Sequence, residues 1–290
     1  MKLPFSVDLS GKVAVVTGGG GVLCSGFSEV LAAAGAAVAV CDLKPEAAEA
    51  VADRINESGG KAIAVKMNVL DKASIEEALG VITSAFGVPD ILINGAGGNN
   101  PRGSTSHDTL TPEDLERAAE GVKTFFDLDP EGVGFVFNLN FLGTLLPTQV
   151  FARPMAEASV EGTKKPVIIN ISSMNSFRPL TRIPAYSAAK AAVSNFTQWL
   201  AVHFAPVGIR VNAIAPGFFL TEQNRTLLVN PDGTPTERSA KILAHTPQNR
   251  FGVPDDLAGT LLWLASNEAS GFVDGVVVPV DGGFAAYSGV

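Results

Sequence analysis

Short apolar runs alternate along this chain with longer stretches in which apolar residues recur every three or four positions. Lys12–Thr17 (KVAVVT) is the first run. Four glycines, Gly18 to Gly21, follow it, and then Val22, Leu23, Phe27, Val30, Leu31 and Ala34 stand at helical spacing. Ala36–Cys41 is the next strand, Ala48, Val51 and Ile55 mark a helix, and Lys61–Met67 is a third strand. Ile75, Leu79, Ile82 and Phe86 mark another helix before the strand Asp90–Asn94. Further on, the pattern predicts strands over Pro166–Ile171, Arg210–Ile214 and Val276–Val280, and a helix over Ala185–Phe204. Every crossover in the first half is helical, so the expected fold is α/β and doubly wound: a parallel sheet covered by helices on both faces.

The strand, glycine turn and helix at the start have a specific chemical use. Gly18, Gly20 and Gly21 let the backbone come close to a pyrophosphate, and Val22 and Leu23 open a helix whose N–H groups and dipole favour an anion. Asp42 ends the second strand about twenty residues on, where a carboxylate binds both hydroxyls of an adenosine ribose and repels a 2′-phosphate. That favours NAD(H) over NADP(H). Lys44 beside it keeps NADP(H) open, and Asp42 as a plain helix cap is the competing reading.

The run NISSMNSFRPLTRIPAYSAAK, from Asn170 to Lys190, carries the candidate chemistry. Tyr186 and Lys190 are four residues apart and share one helix face, which sets an ammonium beside a phenol. A positive charge within about 4 to 6 Å favours phenolate, so Lys190 is expected to lower the pKa of Tyr186. Tyr and Lys at this spacing also occur by chance in many helices. Ser173, at a strand's carboxyl end, adds a hydroxyl able to touch the same carbonyl oxygen.

Ser173, the YxxxK pair Tyr186 and Lys190, and Asn140 in the pattern Asn140 to Thr144 (NFLGT) together resemble the short-chain dehydrogenase/reductase family. The resemblance spans nearly the whole chain, and it implies a Rossmann-type three-layer fold with a seven-stranded parallel sheet. It also implies hydride transfer between NAD(H) and a secondary alcohol or ketone, with Tyr186 as acid–base group, Ser173 holding the oxygen, Lys190 assisting both phenol and ribose, and Asn140 completing a proton path. By the same resemblance Asn68 and Val69 face adenine, Asn94, Ala96 and Gly97 stand in the family's NNAG stretch, and Pro216, Gly217, Phe219 and Thr221 belong to its PGxxxT turn at the nicotinamide side. Four positions depart from the family pattern, the first being Asn68, an amide where the family's adenine-holding pair has Asp. Gly95 replaces the second Asn of NNAG, and Val22 and Cys24 stand where TGxxxGxG has later glycines. The glycine loop resembles most that of one subgroup of the family, the D-mannonate oxidoreductases (fructuronate reductases). Cys24 itself reads either as a small buried hydrophobe or as a thiol acidified at a helix N-terminus.

Composition narrows the partners. The chain has 290 residues, 46% of them hydrophobic, enough for one sizeable core and hence one domain. A net charge of −8 with no Lys or Arg cluster argues against nucleic acid or an anionic membrane, leaving a small molecule as the partner. Cys24 and Cys41 form no CxxC, and His107, His203 and His245 have no metal-ligand spacing, so no disulfide framework and no metal are expected. The first residues lack a long apolar run, and a cytoplasmic setting is expected. Neither Val13 to Cys41 nor Ala191 to Ile209 reads as a membrane span, since glycines break the first and polar residues the second.

Residues 98–134 form an insertion of about twenty residues, read as a lid, with a capping box at Thr111 and Asp114 starting a helix through Lys123. Residues 217–250 read as a second substrate flap. Arg102 beside Asn99 and Asn100, Asn175, Arg178 and Arg182, and Gln223, Asn224 and Arg225 offer cations and amides to a sugar acid, with D-fructuronate and D-mannonate the pair that the subgroup resemblance implies. Arg102 ranks first among the cations. Long apolar surfaces at Trp199, Leu200 and Phe204, on helices starting near Asn140 and Ala185, together with the resemblance, suggest a homotetramer. The competing functions are a reductase of another sugar, polyol or acyl ketone, and a catalytically silent NAD-binding sensor.

Overall fold

The computed structural model describes residues 7–116, 121–220 and 228–289. Seven strands form: β1 Val13–Thr17, β2 Ala37–Asp42, β3 Lys61–Lys66, β4 Ile91–Asn94, β5 Val167–Ile171, β6 Arg210–Pro216 and β7 Val277–Val280. They make one wholly parallel sheet in the order β3-β2-β1-β4-β5-β6-β7. This is the doubly wound Rossmann-type fold expected from the alternation.

Among the described residues the α-helices are α1 Val22–Ala33, α2 Pro45–Glu57, α3 Lys72–Phe86, α4 Pro112–Glu116, α5 Pro130–Phe137, α6 Gly143–Val160, α7 Pro184–Phe204, α8 Glu237–Ala244, α9 Ala258–Ala265 and the short α10 Asn267–Ser270. Strands that are apolar on both faces explain why helices cover both. Val16, Ile93, Ile169 and Ile214 point to Phe27, Leu31, Val51, Ile55, Leu261 and Leu264 on α1, α2 and α9. Val15, Leu92, Ile168 and Val211, one position out of step, point to Ile75, Ile82, Phe151, Met155 and Leu200 on α3, α6 and α7.

A polar seam runs through the second of these cores. Asn94 on β4 donates through Nδ2 to Thr148 Oγ1 on α6 and to Asn170 Oδ1 on β5, each at 2.9 Å, and Asn170 Nδ2 donates to Thr197 Oγ1 on α7 at 2.9 Å. All four side chains are buried. Buried amides without partners are costly, so this seam fixes how α6 and α7 sit on the sheet.

Two expectations need correction. The Thr111–Asp114 capping box forms, with Thr111 N donating to Asp114 Oδ2 at 2.9 Å, but the helix does not reach Lys123. Gly121 takes φ 84°, outside helical space, and Lys123 pairs with Ser106 instead. Nor does a helix start near Asn140. α5 and α6 join into one helix, Pro130–Val160, through a π turn at Asn138–Leu142, so Asn140 lies inside it and caps nothing. That helix is long and apolar enough to cross a membrane by length and composition, yet half of its most apolar window is buried inside the fold. The two stretches weighed as spans from the sequence are instead β1, α1 and β2, and most of α7 with its exit turn.

Candidate active site

The strand order reverses between β1 and β4, and the loops leaving the carboxyl ends of β1, β2, β4, β5 and β6 gather at that end of the sheet. The glycine turn is packed where side chains have no room. Gly18 takes φ +64°, and a Cβ there would lie 2.9 Å from Ala96 Cα; a Cβ on Gly20 would lie 2.6 Å from Ala47 Cβ. Gly21 caps α1 without a side chain, which leaves the N–H groups of the first turn, at Val22 and Leu23, facing outward for an anion. Asp42 closes β2 against this turn, its Oδ2 accepting from Gly20 N and its Oδ1 from Lys44 N, both at 3.0 Å.

The next loop is tied to the first by a residue that motif spacing alone does not single out. Thr17 Oγ1 accepts from Gly95 N at 3.0 Å and from Ala96 N at 3.1 Å. A threonine just before the glycines was the available signal. Asn68 makes an Asx turn, its Oδ1 accepting from Leu70 N at 3.0 Å, while Val69 packs against the start of α6. Asn94 has its amide nitrogen committed to the polar seam, and its buried Oδ1 has no partner among the described residues; Ala96 and Gly97 are the more exposed members of that stretch. On the far side, Gly217 lies so close to Asp281 that a Cβ would fall 2.6 Å from the latter's Cα, and Phe219 is buried in the core below Pro216. Thr221 and Gln223, with Asn224 and Arg225, lie outside the described residues.

The four residues singled out for catalysis come together. Ser173 leaves β5 as the cap of a 3₁₀ turn, Met174–Ser176, and its hydroxyl is hydrogen-bonded to the phenol of Tyr186 in the first turn of α7. Lys190, one turn further, is buried; its Nζ donates to Ile171 O at 2.7 Å and stands 5.7 Å from the centre of the Tyr186 ring. Asn140 donates through Nδ2 to Gly98 O and Val136 O, both at 2.7 Å, and its Oδ1 accepts from Gly98 N at 3.2 Å. Gly97 sits between them, since a Cβ there would meet Asn140 Oδ1 at 2.7 Å and Lys190 Nζ at 3.2 Å. Ser172, unremarked in the sequence, holds α7 to β5 by donating to Lys190 O at 3.2 Å and pairing with Ser194 Oγ at 2.7 Å.

The electrostatics partly overturn expectation. Burial brings Lys190 down from its ordinary 10.5 to about 8. Tyr186 is shifted up, not down, because burial outweighs its hydrogen bond to Ser173. The ammonium expected to depress it is itself desolvated and engaged by the Ile171 carbonyl. Cys24 is no acidified nucleophile: burial pushes its thiol up to about 12, so the small buried hydrophobe is the reading that holds.

Around this centre the candidate substrate residues differ in their commitments. Arg102 pairs with both Asp129 and Glu131, the latter at 2.8 Å. Arg182 pairs with Asp108 at 2.6 Å. Arg178 donates to Ala285 O at 3.2 Å and has no carboxylate partner among the described residues. Asn100 Oδ1 accepts from Arg102 N at 2.9 Å and so caps the turn Pro101–Gly103. Asn175, two residues after Ser173, is buried, and its Oδ1 has no hydrogen-bond partner among the described residues.

The family model for the short chain dehydrogenase matches residues 12–231, from the first strand past the β6 turn. The chain belongs to the short-chain dehydrogenase family. It is 53% identical over 288 residues to UxuB, an uncharacterized oxidoreductase of Bacillus subtilis, covering 99% of this chain and all of the relative. A crystal structure from Haemophilus influenzae, provisionally described as a D-mannonate oxidoreductase with bound NAD, superposes with a TM-score of 0.92 at 54% identity over the full length of both chains. A gluconate 5-dehydrogenase from Burkholderia cenocepacia, in complex with NADP and tartrate, superposes at 0.79 with 30% identity and 98% of each chain covered. This chain is accordingly an NAD(P)-dependent short-chain oxidoreductase, and its cramped glycine turn, uncapped α1 and Asp42 are the features that fit such a cofactor.

The low pKa of Lys190 makes a stability prediction with a definite sign. Between pH 8 and 10.5 the unfolded chain holds a proton on Lys190 that the folded chain has lost, so this residue's contribution to stability rises with pH across that window and is lowest below it. Urea titrations of the native chain and Lys190→Met from pH 7 to 10 should show the difference moving in favour of the native chain as pH climbs. A difference that does not change with pH would mean that Lys190 is not desolvated.

Proposed function

We propose that this short-chain dehydrogenase interconverts a sugar acid and its keto form, with D-mannonate and D-fructuronate as the pair, and prefers NAD(H). The observation that carries the oxidoreductase chemistry is the convergence of Ser173, Tyr186, Lys190 and Asn140 on one crevice at the strand ends. In the oxidising direction Tyr186 takes the proton from the substrate hydroxyl, and Ser173 holds that oxygen. Lys190 stands beside that phenol with its Nζ held on the Ile171 carbonyl, and Asn140 holds the Gly97–Gly98 backbone next to it. NAD(H), when bound, supplies or accepts the hydride. Gly18, Gly20, Gly21, Val22 and Leu23 would hold its pyrophosphate, Asp42 its adenosine ribose, Asn68 and Val69 its adenine, and Ala96, Gly97, Pro216, Gly217 and Thr221 its nicotinamide half, with Asn94 and Phe219 supporting those loops. Asp42 supports NAD(H), because a 2′-phosphate would meet its carboxylate.

The sugar-acid reading rests on polar groups left available near Ser173. A buried amide oxygen without a partner costs stability, and Asn175 Oδ1 is such a group, suited to accept from a substrate hydroxyl. The substrate carboxylate needs a cation. Arg102 and Arg182 already carry carboxylates, so an incoming anion at either must displace one, whereas Arg178 has only a carbonyl to release. Arg178 therefore moves ahead of Arg102, with Asn100 and Arg182 as further candidates; Gln223, proposed from the sequence, lies outside the described residues. An NAD-bound relative described as a D-mannonate oxidoreductase and a gluconate 5-dehydrogenase support the class. Residues 98–134 serve as a lid over this approach and 217–250 as a flap, within one catalytic domain. We also assign a cytoplasmic setting and a homotetramer. The outer side of α7 and its neighbours supports assembly: Phe196, Trp199 and His203 stack in a row that Phe141 meets edge-on, and Trp199 and Val202 are exposed, although Leu200 belongs to the core and Phe204 packs against it.

Three measurements test these assignments. Tyr186→Phe should lower turnover by about 10² to 10⁴-fold while leaving NADH binding within about twofold of native; near-native turnover removes Tyr186 from the chemistry, whereas a native chain that oxidises NADH with none of a panel of ketones and sugar acids revives the silent sensor. In NADH oxidation assays, fructuronate should be preferred at least about tenfold in kcat/KM over its uncharged ketose counterpart, and Arg178→Ala should abolish that preference while Arg102→Ala retains it. Equal kcat/KM for charged and uncharged sugars in the native chain defeats carboxylate recognition. Light scattering at micromolar concentration should give a tetramer, and a particle near 30 kDa contradicts the assembly.

A further inference from the structure

Two positions that depart from the family pattern, Cys24 and Gly95, touch each other. A Cβ built on Gly95 would lie 2.3 Å from Cys24 Sγ and 2.8 Å from Thr17 O, so the thiol occupies the volume that any side chain at position 95 would need. Cys24 is buried on α1, two residues inside the helix start that faces the pyrophosphate site. Gly95 lies in the loop leading to Gly97, which abuts Asn140 and Lys190. The same two loops meet again at Gly18 and Ala96, where backbone lies against backbone, and through the Thr17 hydroxyl. They therefore form one floor, and its spacing at the Cys24 end is set by a sulfur atom resting on a bare Cα.

We infer that Cys24 and Gly95 are a reciprocal pair that sets the distance between the helix start receiving the pyrophosphate and the loop receiving the nicotinamide ribose. The thiol acts as a fixed spacer, with no redox or nucleophilic part. A side chain at 95 pushes α1 away from the Gly97 loop and separates the two halves of the dinucleotide site; with the sulfur gone, the same side chain has room. Cys24 and Gly95 are thus positioning residues, acting on the cofactor through the two loops.

The inference rests on the glycine turn being the cofactor site, and a double-mutant cycle separates the two ideas. NADH dissociation constants, NADH KM and kcat would be measured on the native chain, Gly95→Ala, Cys24→Gly and the double variant, well below each melting temperature. Melting curves are recorded in parallel, and Cys24→Ala with Gly95→Ala serves as a second background if the glycine variants fold poorly. Gly95→Ala should weaken NADH binding at least about tenfold with a smaller effect on kcat, and the Cys24→Gly background should recover most of that loss, since contacting residues couple where distant ones add. Recovery stops short of complete because the Thr17 carbonyl still resists a Cβ. Equal losses in both backgrounds would overturn the pairing, and changed melting temperatures with unchanged NADH binding would overturn the positioning role. A native chain that binds no NADH would instead remove the cofactor site on which both depend.

Discussion

The constraint on which this molecule turns is the burial of one ammonium group. Lys190 is almost wholly removed from water, and its Nζ has the Ile171 carbonyl at 2.7 Å as a fixed acceptor. Desolvating a cation is unfavourable, as its lowered pKa records, and the surroundings have to hold it in place without a paired carboxylate. The end of β5 does so from below, and Ser172 anchors the main chain of the same residue through its carbonyl. Above it Gly97 leaves no room for a side chain, since a Cβ there would lie 2.7 Å from Asn140 Oδ1 and 3.2 Å from the nitrogen.

The π turn at Asn138–Leu142 follows from that arrangement. A regular helix through Pro130–Val160 would satisfy the Val136 carbonyl with the main-chain N–H of residue 140; in the widened turn the side chain of Asn140 donates to it at 2.7 Å and also reaches Gly98. The helix gives up part of its regular ladder, and a single amide clasps the loop beside Lys190 in exchange. Thr144 Oγ1, donating to Asn140 O at 2.9 Å, satisfies a carbonyl beside the widened turn. The polar seam of Asn94, Asn170, Thr148 and Thr197 then fixes the two helices, so the positions of Asn140 on one and Lys190 on the other are set by the same strands.

Much of this was legible in the chain because it depends on local spacing. Strands apolar on both faces announced a sheet covered twice, and all seven formed within about two residues of the expected ends. Ser173, Tyr186 and Lys190 were readable because a strand end and a helix turn carry them, where spacing fixes direction. What stayed hidden was three-dimensional. No periodicity distinguishes a helix that begins at Pro130 and widens at Asn138 from one that begins near Asn140, because both place the same apolar residues inward. The direction of the Tyr186 shift was misread for a related reason. Residue identity supplies the nearby charge, but burial, here the larger effect, is a property of everything packed around it. Arginines were harder still, since a free guanidinium and one held by two carboxylates look identical in sequence.

Those arginines show how the insertion is used. Arg102 reaches Asp129 and Glu131 at the start of α5, and a Cβ on Gly132 would press within 2.5 Å of its own Cβ, so the Arg102 turn and α5 are packed face to face. Arg182 holds Asp108, and its carbonyl accepts from Thr105 N at 2.9 Å, which joins the same excursion to the loop just before Tyr186. Exposed ion pairs of this kind are weakened by solvent screening, so their effect lies in geometry more than in stability. They use basic side chains as fasteners on a chain whose net charge is −8. On a chain of that net charge, cations already held by carboxylates have little attraction to spare for an anion. Among the described arginines between β5 and α7, Arg178, five residues after Ser173, is the one with a main-chain carbonyl and no carboxylate as its partner, so its charge is the least neutralised locally.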